Sequence, residues 1–273
     1  MTKIRLDVEM VSRGLCPSRE KARALILAGE VRVNGVRAEK AGQEIAPDAE
    51  VTVVEDAIPF VSRGGLKLDK AVKTFPINLR GRVCADIGAS TGGFTDVMLK
   101  NGANHVYAID VGYGQLDWSL RNDPRVTVME RTNARFMTPE WFREPITFAS
   151  IDVSFISLRL ILPPLFDSLS DTGEVVALIK PQFEAGRSEI GKNGVVRDAA
   201  VHERVIRDML SFADGTGFSV LGLSFSPITG PKGNIEYLLY MQKVSPKNDA
   251  TLHKISEQVP EIVKKSHLLD KNG

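Results

Sequence analysis

An α/β fold is predicted for most of this 273-residue chain: a Rossmann-like, seven-stranded, mostly parallel sheet with its last strand antiparallel, behind a small N-terminal α+β domain. Three observations predict it. Apolar runs of strand length, at 83–87, 106–109, 126–129, 146–151, 175–179, 218–223 and 237–241, alternate with helical patterns at 94–100, 156–169 and 199–213. Such alternation is what a parallel sheet covered on both faces requires. Only Pro227-Ile228-Thr229-Gly230-Pro231-Lys232-Gly233 separates the last two runs, too little for a crossover helix, so those strands should pair antiparallel. Ahead of Ala57 the pattern changes to short helices, short β runs and tight turns.

The N-terminal elements follow from local signals. A first apolar-periodic helix begins around Arg5-Leu6-Asp7 and stops at Gly14. Ser18 is a suitable N-cap for a second helix, 19–28, which sets Ala22, Leu25 and Ile26 on one face and ends at Gly29. Val31-Arg32-Val33 then runs into Asn34-Gly35, a strong hairpin-turn signal, and Val36 starts the return strand. Ile45 and 51–54 supply further strand material. The expected organisation is a first domain over residues 1–56, a linker over 57–65, a larger domain over 66–245 and a polar tail over 246–273 with a modest helical pattern.

Hydrophobic residues make up 43% of the chain and charged ones 25%, which suits a soluble globular protein. The net charge of +1 gives no licence for a nucleic-acid partner, but its distribution is uneven: residues 1–40 carry nine Lys or Arg against five acids. Cys16 and Cys84 are too few and too far apart for a disulfide framework or a zinc site, so no metal is expected. The opening MTKIRLDVEM has no apolar core for a signal peptide, and no run of about 18 apolar residues occurs. A cytoplasmic protein with no membrane partner is expected.

The cofactor site is expected where the first sheet strand ends. Asp86-Ile87-Gly88-Ala89-Ser90-Thr91-Gly92-Gly93-Phe94 follows a strand and opens a helix, and glycines there let the backbone approach a ligand. The spacing is neither GxGxxG nor a phosphate loop, so a ligand without phosphates fits better. Asp86 would suit a cationic amino-acid group, Asp110 at the next strand end would accept from ribose hydroxyls, and Asn133 would read an adenine edge. With the antiparallel last strand, these features point to S-adenosylmethionine. The expected binding set is Asp86, Gly88, Ala89, Ser90, Gly92, Gly93, Phe94, Asp110 and Asn133.

Four polar residues fall where this architecture converges. Lys67 follows Ser62-Arg63-Gly64-Gly65-Leu66, Asp152 ends the fourth strand, Lys180 ends the fifth, and Glu236 begins the last. Taken singly, a lysine after an apolar strand is an ordinary solvated end, and a strand-end aspartate is often a helix cap. Arg19 and Arg23, four apart with Lys21 between them, read equally as a solvated helix face.

Resemblance sharpens these readings. RLDVEMVSRGLCPSREKARALILAGEVRVNG resembles the αL RNA-binding domain of ribosomal protein S-four type, which grips structured RNA. Lys67, Asp152, Lys180 and Glu236 resemble the Lys-Asp-Lys-Glu tetrad of the FtsJ-like RNA ribose 2′-O-methyltransferases. With SRGGLKLDK, DIGASTGGFTD and KPQFEAGR, the chain resembles the TlyA (hemolysin A-like) rRNA methyltransferases over nearly its whole length. The resemblance implies methyl transfer to a cytidine ribose 2′-hydroxyl in ribosomal RNA, with Lys180 taking or steering the hydroxyl proton. Asp152 and Glu236 would orient the lysines, and Lys67 would help hold the ribose. RNA contacts are expected from Arg5, Arg13, Arg19, Lys21 and Arg23, and from Arg187 and Lys192 in a mobile basic loop, 186–194.

Other classes fit less well. A cytosine C5-methyltransferase needs a cysteine nucleophile beside the cofactor, whereas Cys84 lies inside a strand and Cys16 in the other domain. An N-methylating enzyme often has an Asn-Pro-Pro-Tyr-like loop where this chain has Asp152-Val153-Ser154-Phe155. A non-catalytic RNA-binding factor would not need the tetrad, and a pore-forming hemolysin would need a segment that enters a bilayer.

Overall fold

The computed structural model describes residues 3–16, 18–53, 59–230, 232–244 and 249–269; the side chains of residues 24, 27, 28, 192, 249 and 269 also lie outside it. The chain forms two compact units, Met1–Pro59 and Phe60–Gly273.

The first unit runs β1 (Ile4–Arg5), α1 (Leu6–Ser12), α2 (Arg19–Ala28), β2 (Val31–Val33), β3 (Val36–Arg37), β4 (Glu44–Ile45) and β5 (Val51–Val53). Ser18 Oγ accepts from the Lys21 N–H at the start of α2, and Gly29 closes that helix at φ 77°. Asn34 and Gly35 both take positive φ, 50° and 77°, the conformation that turns β2 into β3. Leu6, Met10, Ala22, Ile26 and Val31 form a small core.

In the second unit come α3 (Gly65–Thr74), β6 (Val83–Ile87), α4 (Gly93–Lys100), β7 (His105–Ile109), α5 (Trp118–Arg121), β8 (Val126–Met129), β9 (Ile146–Ile151), α6 (Leu162–Ser168), β10 (Leu169–Ile179), α7 (Pro181–Glu184), α8 (Ala199–Thr216), β11 (Phe218–Phe225), β12 (Tyr237–Lys243) and α9 (Asp249–Leu269). The sheet order is β11-β12-β10-β9-β6-β7-β8. β12 lies antiparallel between β10 and β11, and the remaining neighbours are parallel. One face of the sheet is packed by α6, α8 and α9 through Leu165, Met209 and Val259. The other is packed by α3, α4 and α5 through Leu68, Val97 and Leu120. Successive residues of β12 serve opposite faces: Tyr237, Leu239 and Met241 one core, Leu238 and Tyr240 the other.

Two elements differ from the sequence reading. The helix expected over 156–169 is instead a 3₁₀ turn at Leu158–Leu160 followed by α6. Pro163 and Pro164 explain this, because residues without an N–H are tolerated only in a helix's first turn, so α6 cannot begin earlier. Within 246–273, α9 lays Ile255, Val259 and Val263 into the sheet's core. The linker span is divided: 57 and 58 lie outside the described residues, while Phe60–Gly65 belongs to the second unit.

Candidate active site

Strand register builds the site. Ile87, Ile109 and Ile151 are aligned across three parallel strands, so Gly88, Asp110 and Asp152 leave the sheet at one edge. Ile179 pairs with Tyr237 on the antiparallel β12, so the end of β10 and the start of β12 meet at that same edge. Lys180 and Glu236 are thereby neighbours, although 56 positions separate them in the chain. Lys67, in the first turn of α3, completes the group.

The four side chains form an alternating chain of charge. Lys180 Nζ lies 2.6 Å from Asp152 Oδ1. Lys67 Nζ lies 3.1 Å from Asp152 Oδ2 and 2.6 Å from Glu236 Oε2. Asp152 Oδ1 and Glu236 Oε2 are held by charge at 2.6 Å without an aligned hydrogen bond. Lys180 Nζ also donates to Ser154 Oγ at 3.1 Å. Lys67, Lys180 and Glu236 are buried at 8%, 6% and 2% exposure, so these charges depend on one another for solvation. Burial alone would lower the Lys67 pKa, but the Asp152 and Glu236 carboxylates outweigh it and hold the ammonium above the ordinary lysine range. Burial would likewise raise the Asp152 pKa, and the two lysines instead pull it down to about 2.

The two lysines are therefore not equivalent. Lys67 is pinned between two carboxylates and stays protonated, a fixed positive charge. Lys180 faces one carboxylate and one hydroxyl, which leaves it the freer of the two to engage an incoming group.

The glycine-rich turn packs closely against neighbouring segments. Gly88 (φ 87°) lies against the Asp152 backbone, where a Cβ would come within 2.6 Å of the carbonyl oxygen. A Cβ on Gly92 would meet Leu120 at 2.3 Å, and one on Gly93 would meet Ser62 Oγ at 2.6 Å and the Gly65 nitrogen at 2.7 Å. These glycines bring β6 and α4 up against the Asp152 loop and the start of the Lys67 helix. Asp86 is fully buried: Oδ2 accepts from the Thr95 N–H and hydroxyl, and Oδ1 from the Ser150 hydroxyl. Burial pushes its carboxyl up to about 7, against the pull of those donors. These bonds fasten α4 to β6. Ala89 and Phe94 are also buried in packing.

Gly88, Ser90, Asp110 and Asn133 remain at the accessible edge. Asp110 Oδ2 accepts from the Ser90 N–H and Oδ1 from the Gly112 N–H, so the carboxylate is held at the strand end with lone pairs to spare for a ribose diol. Beside it Val111 is 67% exposed, an apolar surface suited to an adenine ring. Asn133 Oδ1 caps the 3₁₀ turn at Ala134–Phe136. This edge fits the adenosine half of S-adenosylmethionine. Asp110→Ala is expected to weaken binding of that cofactor, with no RNA present, by about 1–3 kcal/mol. Unchanged affinity by calorimetry would contradict the assignment.

Sequence reading missed Phe155. Its side chain is 91% exposed beside the tetrad, and its φ of 63° is one a bulky residue rarely adopts. Tyr113, Trp118 and Phe136 are also largely exposed, with the Arg131 guanidinium over the Tyr113 ring and Arg135 over Phe136. In the 186–194 loop, Arg187 is exposed, while Glu189 is tied to Arg204 and to the Gly186 N–H. The Lys192 side chain lies outside the described residues.

In the first unit, Arg5 grips the buried Asp7 carboxylate with two nitrogens, at 3.0 and 2.9 Å, and Arg19 reaches it at 3.2 Å. Arg19 thereby joins α2 to α1, and both arginines keep about half of their side chains exposed, 52% and 55%. Arg23 is exposed and Lys21 half-buried. Arg13 serves the fold: it pairs with Glu9 and donates to the Pro47 and Ala49 carbonyls.

Among the described residues no group of His, Cys, Asp and Glu is arranged to hold a metal, and no helix is long and apolar enough to cross a membrane. Two family models match the chain, FtsJ-like methyltransferase over residues 60–243 and S4 domain over residues 4–51. The Bacillus subtilis protein YqxC is 55% identical over 240 residues, 88% of this chain and 85% of its own. The 16S/23S rRNA (cytidine-2′-O)-methyltransferase TlyA of Mycobacterium tuberculosis is 47% identical over 241 residues, 88% of this chain and 90% of its own. A solved Streptococcus thermophilus protein named for a hemolysin superposes with a TM-score of 0.79 at 48% identity, covering 100% of this chain and 98% of that one.

Proposed function

The chain belongs to the FtsJ-like methyltransferase family, and from that premise we propose that it transfers a methyl group from S-adenosylmethionine to the ribose 2′-hydroxyl of a cytidine in ribosomal RNA. The observation that carries this reading is the Lys180–Asp152–Lys67–Glu236 chain at the sheet edge that also presents Asp110. When bound there, the cofactor supplies an electrophilic methyl on a sulfonium. A ribose hydroxyl is a weak nucleophile, so most of the protein's contribution is to place it in line and manage its proton. Lys180 is the group that meets the 2′-oxygen and takes or steers the proton lost as the O–C bond forms. Asp152 aims Lys180, while Lys67, locked by Asp152 and Glu236, keeps the buried acids neutralised and the ribose in place.

Recognition of RNA is shared between the units. The S4 domain supplies Arg5, Arg19, Lys21 and Arg23 to phosphates. Exposed rings paired with arginines, Tyr113 with Arg131 and Phe136 with Arg135, suit unstacked nucleotides beside the cofactor edge. Replacing Arg19, Lys21 and Arg23 together by Gln is expected to weaken RNA binding and flatten its salt dependence, because fewer counterions are released, while cofactor affinity stays the same. An unchanged salt slope would remove these residues from the RNA-binding set. The reading as a whole is tested by mapping 2′-O-methyl positions in ribosomal RNA from cells with and without the gene. Loss of a cytidine 2′-O-methyl on deletion supports it, and an unchanged map refutes it.

A further inference from the structure

Lys180 is buried, yet one of its polar partners is exposed. Its Nζ donates to Ser154 Oγ at 3.1 Å and lies 2.6 Å from Asp152 Oδ1. Ser154 follows Asp152 on the loop that leaves β9 and is open to solvent, whereas Lys67 and Glu236 are buried like Lys180. Among the described residues, its hydroxyl is the exposed polar group bonded to the tetrad.

The tetrad offers a departing proton no ready acceptor. Lys67 stays protonated between two carboxylates, and Lys180 is a donor to Ser154 and the charge partner of Asp152. Asp152, pulled down to about 2, is a weak base. Glu236 is buried against Lys67. A serine hydroxyl differs from all four, because it accepts through two lone pairs and donates one proton. Ser154 Oγ spends one lone pair on Lys180. Among the described residues its second lone pair and its proton have no partner, and both face an approach from solvent.

We propose that Ser154 is a further catalytic residue, whose hydroxyl accepts the 2′-hydroxyl proton beside Lys180 and relays it to solvent. As the bond between the 2′-oxygen and the methyl carbon forms, the carbon–sulfur bond breaks with its electron pair left on sulfur. The 2′-O–H proton passes to Ser154 Oγ, and Ser154 releases its own proton to a water on the open side of the loop. The hydroxyl is thereby regenerated, and the positive charge of the sulfonium leaves as hydronium. Lys180 steers the same oxygen from the buried side. This rests on the reading of the substrate as a ribose hydroxyl.

Single-turnover methylation of unmodified ribosomal subunits by the full-length protein tests this. Ser154→Ala is expected to slow methyl transfer about 10- to 100-fold, at the low end for a positioned acid–base group because a water can stand in for the hydroxyl. RNA and cofactor affinity should stay within about twofold of the wild type. Ser154→Thr, which keeps a hydroxyl, should recover most of the rate. The wild-type step should show a solvent isotope effect from two protons in motion, and Ser154→Ala should reduce it. A readout without turnover comes from Ser154→Cys, since Cys16 and Cys84 are buried. Iodoacetamide should alkylate the new thiol readily, because the position is open and the Lys180 cation favours the thiolate. Bound ribosomal subunits should slow that alkylation. An unchanged rate or isotope effect in Ser154→Ala, a loss confined to RNA affinity, or a thiol that RNA does not protect would overturn the proposal. An inactive wild type would instead overturn the RNA-methylation reading beneath it, and the two failures are distinct.

Discussion

Lys180→Ala folds, binds S-adenosylmethionine and RNA, and transfers methyl about 10²–10⁴-fold more slowly than the wild type, the range for losing a positioned acid–base group. The prediction rests on where Lys180 stands. It follows the last residue of β10, Pro181 begins α7 directly after it, and its Nζ is 2.6 Å from Asp152. Removing it leaves Asp152 still paired with Lys67 at 3.1 Å, so no carboxylate is stranded and the fold survives. Lys180→Arg does not restore the rate, because a guanidinium stays protonated and its planar fork differs in shape from an ammonium. Single-turnover rates at saturating RNA and cofactor check this. A loss that vanishes when RNA is raised would make Lys180 a phosphate contact.

Asp152→Ala has the second large effect, with a different signature. Among the described residues, Asp152 is the one group paired with both lysines. Without it Lys180 keeps the Ser154 hydroxyl and the Phe183 ring, and a buried cation loses its counter-charge. Activity falls as far as in Lys180→Ala, and the two losses do not multiply, because the group works as a unit. Stability falls as well, by about 3–5 kcal/mol, the usual cost of breaking one side of a buried pair. The pH dependence carries a sign. With a folded pKa of about 2 against about 3.9 for a free aspartate, the carboxylate's contribution is complete above the higher value and disappears as pH falls through the lower. The gap in denaturation midpoint between wild type and Asp152→Ala should therefore be full at neutral pH and narrow below about pH 4. A gap that widened on acidification would contradict the ion-pair account.

Much of this was written in local sequence. Ser18, Gly29 and Asn34-Gly35 mark their helix and hairpin boundaries because caps and positive-φ turns select side chains within a few positions. The edge positions of Gly88, Asp110, Asp152 and Lys180 follow from apolar runs that stop one residue earlier. Other features depend on partners far along the chain. The glycines of 88–93 suggest room for a ligand, and the fold shows that they also clear space for protein: Asp152, Leu120, Ser62 and Gly65. A glycine in a sequence signals that something approaches closely, without saying what. Likewise, only the fold shows that Thr95 and Ser150 donate to the Asp86 carboxylate. Phe155 left no trace, because its backbone strain has no local pattern.

The central claim is that the Lys180–Asp152–Lys67–Glu236 chain directs methyl to a ribose oxygen rather than to a base. Its most direct test is the identity of the product. Ribosomal subunits lacking the modification are incubated with the purified protein and methyl-labelled S-adenosylmethionine, and the RNA is digested to nucleosides and resolved by mass. The account predicts that the label appears in 2′-O-methylcytidine with the wild type and accumulates about 10²–10⁴-fold more slowly with Lys180→Ala. Label in a base-methylated nucleoside, or equal label with Lys180→Ala, would contradict it.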